Sequence, residues 1–182
     1  MVSSPSGGGK TTIAERVVRR MRRLVRSVSC TTRAPRQGER HGRDYFFVTR
    51  TEFDRIRRNG GFLEEARVFG QHYGTPRAFV DRHLSRGRDV LLVIDVQGAM
   101  KVRKQAHDAV LVFVMPPSMK ELRRRLVGRK LDTSRTIERR LKVSRREIAK
   151  RSSYDYVIVN RDIGQAAREL AHIIRAERLG RR

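Results

Sequence analysis

The chain of 182 residues has no tryptophan and a single cysteine, Cys30. One thiol cannot close an intramolecular disulfide, and it excludes a cysteine-rich metal site. A reducing, cytoplasmic setting is the expectation. Long apolar runs are also missing. The best, Val110 to Met115, has six residues, against the roughly 20 that a membrane-spanning helix needs. The opening MVSSPSGGGK has no apolar core of the secretory kind. The five histidines (His41, His72, His83, His107 and His172) have no metal-ligand spacing. Acidic residues are scarce, 19 against 43 Lys and Arg, which leaves a net charge of +24.

Leu, Ile, Val and Phe together make up about a quarter of the chain, above the ~20% below which a charged chain is expected to be disordered. The surplus charge has two readings. Clustered cations suit a polyanion partner, whereas 36 Arg against 7 Lys is what GC-rich coding would give. Hydrophobic patterning predicts strands over 1–3, 27–30, 45–48, 89–95, 110–115 and 156–160. Helices are predicted over 11–24, 76–86, 98–106, 133–152 and 163–179, with further helix starts at Thr51-x-x-Asp54 and Ser118-x-x-Glu121. The five apolar residues Val90 to Ile94 read as a strand buried on both faces. Strands alternating with helices imply an α/β fold with a parallel sheet. Neither a repeat nor a low-complexity linker signals a separate domain.

The strongest local signal is Ser4-Pro5-Ser6-Gly7-Gly8-Gly9-Lys10-Thr11, between a short strand and a helix. This is the setting of a phosphate loop, whose backbone amides and helix dipole hold phosphate oxygens. Lys10 would reach the β- and γ-phosphates and the Thr11 hydroxyl would bind Mg²⁺. Ser4 stands where the general pattern has glycine. A second polar stretch, Ser29 to Tyr45, carries Arg33, Arg36, Tyr45 and hydroxyls on Gly/Pro-rich turns. Arginine forks there suit a phosphate monoester.

These motifs together resemble the guanylate kinase family over nearly the whole chain. They are SPSGGGKT at 4–11, SCTTRAPRQGE at 29–39, GRDYFF at 42–47, FLEEA at 62–66, YGTP at 73–76, IDVQG at 94–98 and YDYVIVN at 154–160. The resemblance implies a P-loop NTPase three-layer αβα core with a parallel sheet, a GMP-binding insertion and a helical lid. The expected parts are core 1–28, GMP-binding region 29–80, core 81–118, lid 119–145 and core 146–182. It implies Mg²⁺-dependent in-line transfer of the γ-phosphoryl of ATP to GMP or dGMP. Ser6, Gly7, Gly8, Gly9, Lys10, Thr11, Thr12 and Asn160 match ATP-binding positions, with Asn160 near the adenine. Arg33, Arg36, Tyr45 and Tyr73 match positions that hold the GMP phosphate, and Ser29, Glu64 and Thr75 match those that read guanine. Guanine presents N1–H and a 2-amino group side by side, and one carboxylate accepts both. Neighbouring Glu65 reads as a solvated acid.

Asp95 matches an acceptor-side or water-mediated Mg²⁺ position. Many relatives carry a second acid two residues earlier, where this chain has Val93. Arg125, Arg129 and Arg140 match lid arginines that join Lys10 in catalysis, and Lys130 replaces a glycine usual after Arg129. The alternatives are a guanylate-kinase-like binding module, against which stand intact Lys10 and Thr11, and a related P-loop kinase for a ribose phosphate, against which stand Ser29, Glu64 and Thr75. Nucleotides are the expected partners, with no specific nucleic acid and no membrane. Monomer and homo-oligomer both stay open. The functional motifs use only a few of the cations, so Arg-rich composition is the simplest source of the rest.

Overall fold

A computed structural model describes residues 1–128 and 133–180. Strand β1 (Val2–Ser3) runs through the glycine loop into α1 (Lys10–Val18), and β2 (Leu24–Arg26) follows. Further on lie α3 (Arg77–Leu84), β7 (Asp89–Leu91), α4 (Val96–Gln105) and β8 (Val112–Met115). Strand β9 (Tyr156–Val159) and α7 (Ile163–Gly180) complete the core. Two parallel ladders, β2–β7 and β1–β8–β9, are stitched by a bridge between Val2 and Val93. The apolar run from Val90 to Ile94 thus serves two neighbours. Val90 and Leu91 pair with β2, whereas Val2 donates to the Leu92 carbonyl and accepts from the Ile94 amide.

Side chains alternate across this sheet, as the two-residue period of a strand requires. Val112 and Val114 face the cluster of Ile13, Val17 and Leu170 from α1 and α7. Leu111 and Phe113 face Val80, Ala99 and Val102 from α3 and α4. Helices on both faces give the expected three-layer core. Phe113 is fully buried, and truncating such a ring to Ala costs about 3–5 kcal/mol.

A second sheet holds β3 (Cys30–Thr31), β4 (Phe46–Phe47), β5 (Phe62–Val68) and β6 (Gln71–Pro76), in the order β4-β3-β6-β5. Its core of Cys30, Phe53 and Phe62 lies against α2 (Arg50–Arg58). Burial pushes the Cys30 thiol up to about 11, so it is inert at neutral pH. Helices α5 (Met119–Gly128) and α6 (Ser134–Ala149) share a cluster of Leu122, Leu126, Ile137 and Leu141. Among the described residues no helix is long and apolar enough to cross a membrane.

Several local expectations are corrected. Helix α1 stops at Val18, and a left-handed Arg23 (φ 59°) leads into β2. Helix α2 is capped by Thr49 rather than Thr51. The Thr49 hydroxyl accepts from the Glu52 amide, and the Glu52 carboxylate accepts from the Thr49 amide. The same four-residue pattern fits two residues earlier, and Asp54 is instead engaged by Arg50 and Arg57. At α5, Ser118 accepts from the Glu121 amide as expected, but the Glu121 carboxylate turns to Arg124 and Arg125. The hairpin β5–β6 escaped the patterning, because its buried alternation runs Phe62, Glu64, Ala66 and puts an acid in an apolar slot.

Candidate active site

The ends of the parallel strands converge on one cleft of about 370 Å³, at the carboxyl edge where open α/β sheets bind ligands. The glycine loop follows β1, Asp95 follows the run to Ile94, and Asn160 follows β9. In the loop, Gly7 (φ 92°) and Gly9 (φ 93°) adopt conformations that side chains resist. A Cβ on Gly9 would stand 2.5 Å from Nδ2 of Asn160. That amide donates to the Gly8 carbonyl at 2.8 Å. Asn160, expected beside the adenine, is thus fully buried against the loop and braces it. Ser4 has no positive φ, is buried, and donates to the Pro5 carbonyl at 2.9 Å. Its side chain fills the space into which a Cβ on Gly8 would project.

Ser6, Gly7, Gly9, Lys10, Thr11 and Thr12 line the cleft along the glycine loop and the start of α1. Ser29, Arg36, Tyr45, Glu64, Tyr73 and Asp95 line the other side. Fully buried Thr75 stands behind Glu64 and donates to its Oε1 at 2.6 Å, and the Ser29 hydroxyl lies 3.4 Å from that of Thr75. Glu64 is nine-tenths removed from solvent. Burial pushes its carboxyl up to about 7, opposed by the Thr75 hydrogen bond. The room for it comes from Gly98, where a Cβ would lie 2.3 Å from Glu64 Oε2. Glu65, expected in solvent, is half-buried, with one oxygen buried and unpartnered.

Arg33 does not line this cleft. It borders an adjoining hollow with Arg36, Tyr45 and Tyr73. Glu39 accepts from its guanidinium through both oxygens at 2.9 Å, and Arg33 Nε donates to the Tyr73 hydroxyl at 3.2 Å. Arg33 Nη1 also donates to the Ala34 carbonyl at 2.6 Å, so the guanidinium is fixed with Nε and both Nη atoms engaged. Arg26 borders the same hollow, a residue that sequence reasoning passed over because it carries no motif.

Asp95 caps α4, accepting from the Gly98 amide at 2.7 Å, and burial raises its carboxyl above the usual range. Val93 left it without an acid two residues earlier, yet a second carboxylate faces it from α6. Glu147 lines the cleft, and among the described residues its buried Oε2 has no hydrogen-bond partner. Burial pushes Glu147 up to about 7, Lys10 pulls it down and Asp95 adds to the rise. Sequence reasoning missed Glu147. Its signal was the seven-residue spacing from Arg140, two turns along one helix face.

Arg140 Nη1 donates to the Ser6 hydroxyl at 3.3 Å. Arg125 is held back from the cleft: its Nε donates to Glu121 at 2.8 Å and its Nη2 to the Asn160 carbonyl at 2.9 Å. Arg129 and Lys130 lie outside the described residues. A phosphate loop, an arginine-lined hollow and a buried carboxylate backed by two hydroxyls thus share one edge of the sheet.

The family model described as guanylate kinase matches residues 1–177. The chain belongs to the guanylate kinase family. It is 50% identical over 182 residues to a guanylate kinase from a Wolbachia of Brugia malayi, covering all of this chain and 93% of that protein. A guanylate kinase from Anaplasma phagocytophilum is 49% identical over 181 residues, covering 98% of this chain and 86% of the relative. The crystal structure of guanylate kinase from Anaplasma phagocytophilum superposes with a TM-score of 0.81 at 44% identity, covering 97% of this chain and 83% of that one. ATP as donor and Mg²⁺ as its metal go with the family. The donor set here fits Mg²⁺, which takes hard oxygens and shares its shell with phosphates. The Thr11 hydroxyl and the Asp95 carboxylate face one cleft, and an orphaned carboxylate oxygen of Glu147 lines it too.

Proposed function

We infer that the chain is a working ATP:GMP phosphotransferase, with the phosphate loop as donor site and the Ser29–Thr75–Glu64 chain as guanine reader. The observation that carries this reading is that chain of hydroxyls and carboxylate opening onto the cleft that Lys10 and Thr11 line. A buried carboxylate is a costly group to keep unless a ligand supplies its hydrogen bonds. Guanine N1–H and its 2-amino group do so, whereas adenine offers an unprotonated N1 and leaves Glu64 unsatisfied.

Each assigned residue has a mechanical part. Amides of the loop and Lys10 hold the β- and γ-phosphates. Arg33, Arg36, Tyr45 and Tyr73 hold the acceptor phosphate, with Glu39 fixing the position of Arg33. Thr11 and, through water, Asp95 would hold Mg²⁺, which would supply charge neutralisation for the donor phosphates. An oxygen of the GMP phosphate forms the new bond to the γ-phosphorus as the bond to the β–γ bridging oxygen breaks, releasing ADP and GDP. That acceptor oxygen is already an anion, so no general base is needed. Arg140 stabilises charge spreading over the transferred group, joined by Arg125 and Arg129 once the lid over 119–145 closes and excludes water, the competing acceptor. The acceptor unit is 29–80, between the core segments 1–28, 81–118 and 146–182. The reaction suits a cytoplasmic setting.

An ADP-release assay with GMP, dGMP and AMP tests the reading. Turnover with GMP far above that with AMP is expected, and dGMP measures what the sugar contributes. Equal kcat/KM for AMP and GMP would overturn it.

A further inference from the structure

The β5–β6 hairpin closes through Phe69 and Gly70, between the paired residues Val68 and Gln71. Both have positive φ, 49° and 87°. Two-residue hairpin turns of that kind favour Asn-Gly or Gly-Gly, and a bulky aromatic at the first position is an outlier. The ring is not hidden in a core that would explain it. It is half-buried and lines the cleft. The Arg140 guanidinium sits 5.1 Å from its centroid, and that of Arg139 6.0 Å. Arg140 also reaches the Ser6 hydroxyl of the phosphate loop. One guanidinium is therefore held from two sides, by the donor loop and by the tip of the hairpin that carries Glu64, Tyr73 and Thr75.

A ring face is a particular kind of partner. It attracts the cation without consuming its N–H donors. A carboxylate in the same place would orient the arginine but occupy the hydrogen bonds it needs for phosphate. Strained residues persist where the surrounding structure uses them.

We propose that Phe69 is a positioning residue for phosphoryl transfer: its ring holds the Arg140 guanidinium over the phosphate loop, so the hairpin that reads guanine also aims the arginine. The proposal rests on the assignment of Arg140 to the transferred phosphoryl, and the test separates the two.

Phe69→Asn suits the turn and removes the ring. Its Tm should equal or exceed that of the parent, while kcat falls roughly tenfold, the scale of a desolvated cation–π contact. KM for GMP should stay within about twofold, since the ring touches no guanine-reading group. Phe69→Tyr, which keeps the ring face, should restore most of the lost kcat. In an Arg140→Met background, Phe69→Asn should cost nothing further. If Arg140→Met lowers kcat but Phe69→Asn does not, Phe69 alone loses its role. If Arg140→Met leaves kcat intact, the Arg140 assignment falls and the proposal with it. Equal losses in both backgrounds, or a Tyr variant as slow as the Asn variant, would also overturn it. Should Asn lower Tm, Phe69→Leu carries the same comparison.

Discussion

In the proposed function the two sides of the cleft recognise their ligands by different means. The donor side is mostly backbone: a glycine loop held in left-handed conformations and braced by the Asn160 side chain. The acceptor side is mostly side chains, with Glu64 backed by Thr75 and Ser29 and with Arg33 fixed by Glu39. Amides aimed at phosphate oxygens do not distinguish one nucleotide from another. A desolvated carboxylate does, because an analogue lacking the matching donors leaves it unpaired. The difference has an energetic side. The loop's conformation strains little once glycine is present, whereas an ionised Glu64 opposes folding at neutral pH. Generic binding is thus cheap for the fold, and base selection draws on its stability.

The sharpest break in that comparison is Lys10→Met. It should lower kcat by roughly 10²–10³-fold, the cost of removing a preorganised charge-stabilising donor. GMP binding measured by calorimetry should be unchanged, because Lys10 belongs to the donor side. A weakened GMP affinity of similar size would mean that the two sides are not separable.

Glu64→Gln tests the other side. KM for GMP should rise roughly 10²-fold, with ATP affinity kept, since the amide keeps one acceptor but turns a donor toward guanine. Stability should move the opposite way. The folded-state carboxyl sits at about 7 against 4.5 for the free group. Its favourable contribution is therefore full below pH 4.5 and lost as pH rises to 7. At pH 8 the neutral amide relieves an ionised buried group, so Tm should rise, and the gain should shrink toward pH 5. A variant less stable at pH 8 would contradict the picture of Glu64 as a burial cost kept for recognition.

A milder form of the same test needs no mutation. The proposed guanine reader uses the Glu64 carboxylate, and protonation near pH 7 removes one of its acceptor oxygens. Calorimetric GMP affinity should be level above pH 8 and weaken roughly tenfold between pH 8 and 6. The Glu64→Gln variant should lack that dependence. An identical slope in the variant would assign the titration to another group, with Glu147 the first to examine.

The difference between the two sides also governs what could be read from the sequence. The phosphate loop was legible because backbone recognition leaves a local signature, glycines followed by Lys10 and Thr11 in a strand-to-helix setting. The parallel core was legible from apolar runs such as Val90 to Ile94. The acceptor hairpin was not, since Glu64 occupies an inward-facing slot and breaks the alternation that marks a strand. Its residues were found only through the joint resemblance of several motifs. Glu147 and Phe69 stayed hidden for a different reason. Both line the cleft from another element, and neither spacing nor composition records which helix face or turn tip meets the phosphate loop. Turn chemistry points away from Phe69, because its sequence position calls for a residue that tolerates left-handed backbone.

The smallest effect is expected at the loop's first position. Ser4 replaces the glycine of the general phosphate-loop pattern, a change that could be read as damage to the donor side. The geometry argues otherwise. The backbone there has ordinary φ, so nothing in its conformation calls for glycine. The side chain is buried and donates to the Pro5 carbonyl, which also accepts from the Gly8 amide. Restoring the pattern with Ser4→Gly removes a hydroxyl committed to the Pro5 carbonyl and adds chain entropy to the unfolded state. Stability should fall by about 0.5–1 kcal/mol, read from urea unfolding with an unchanged slope. kcat and KM for ATP should stay within roughly twofold, because the amides that hold phosphate belong to Gly7 through Thr11. A several-fold gain in kcat would mean that Ser4 does restrain the loop, and that the donor side depends on side chains more than the comparison allows.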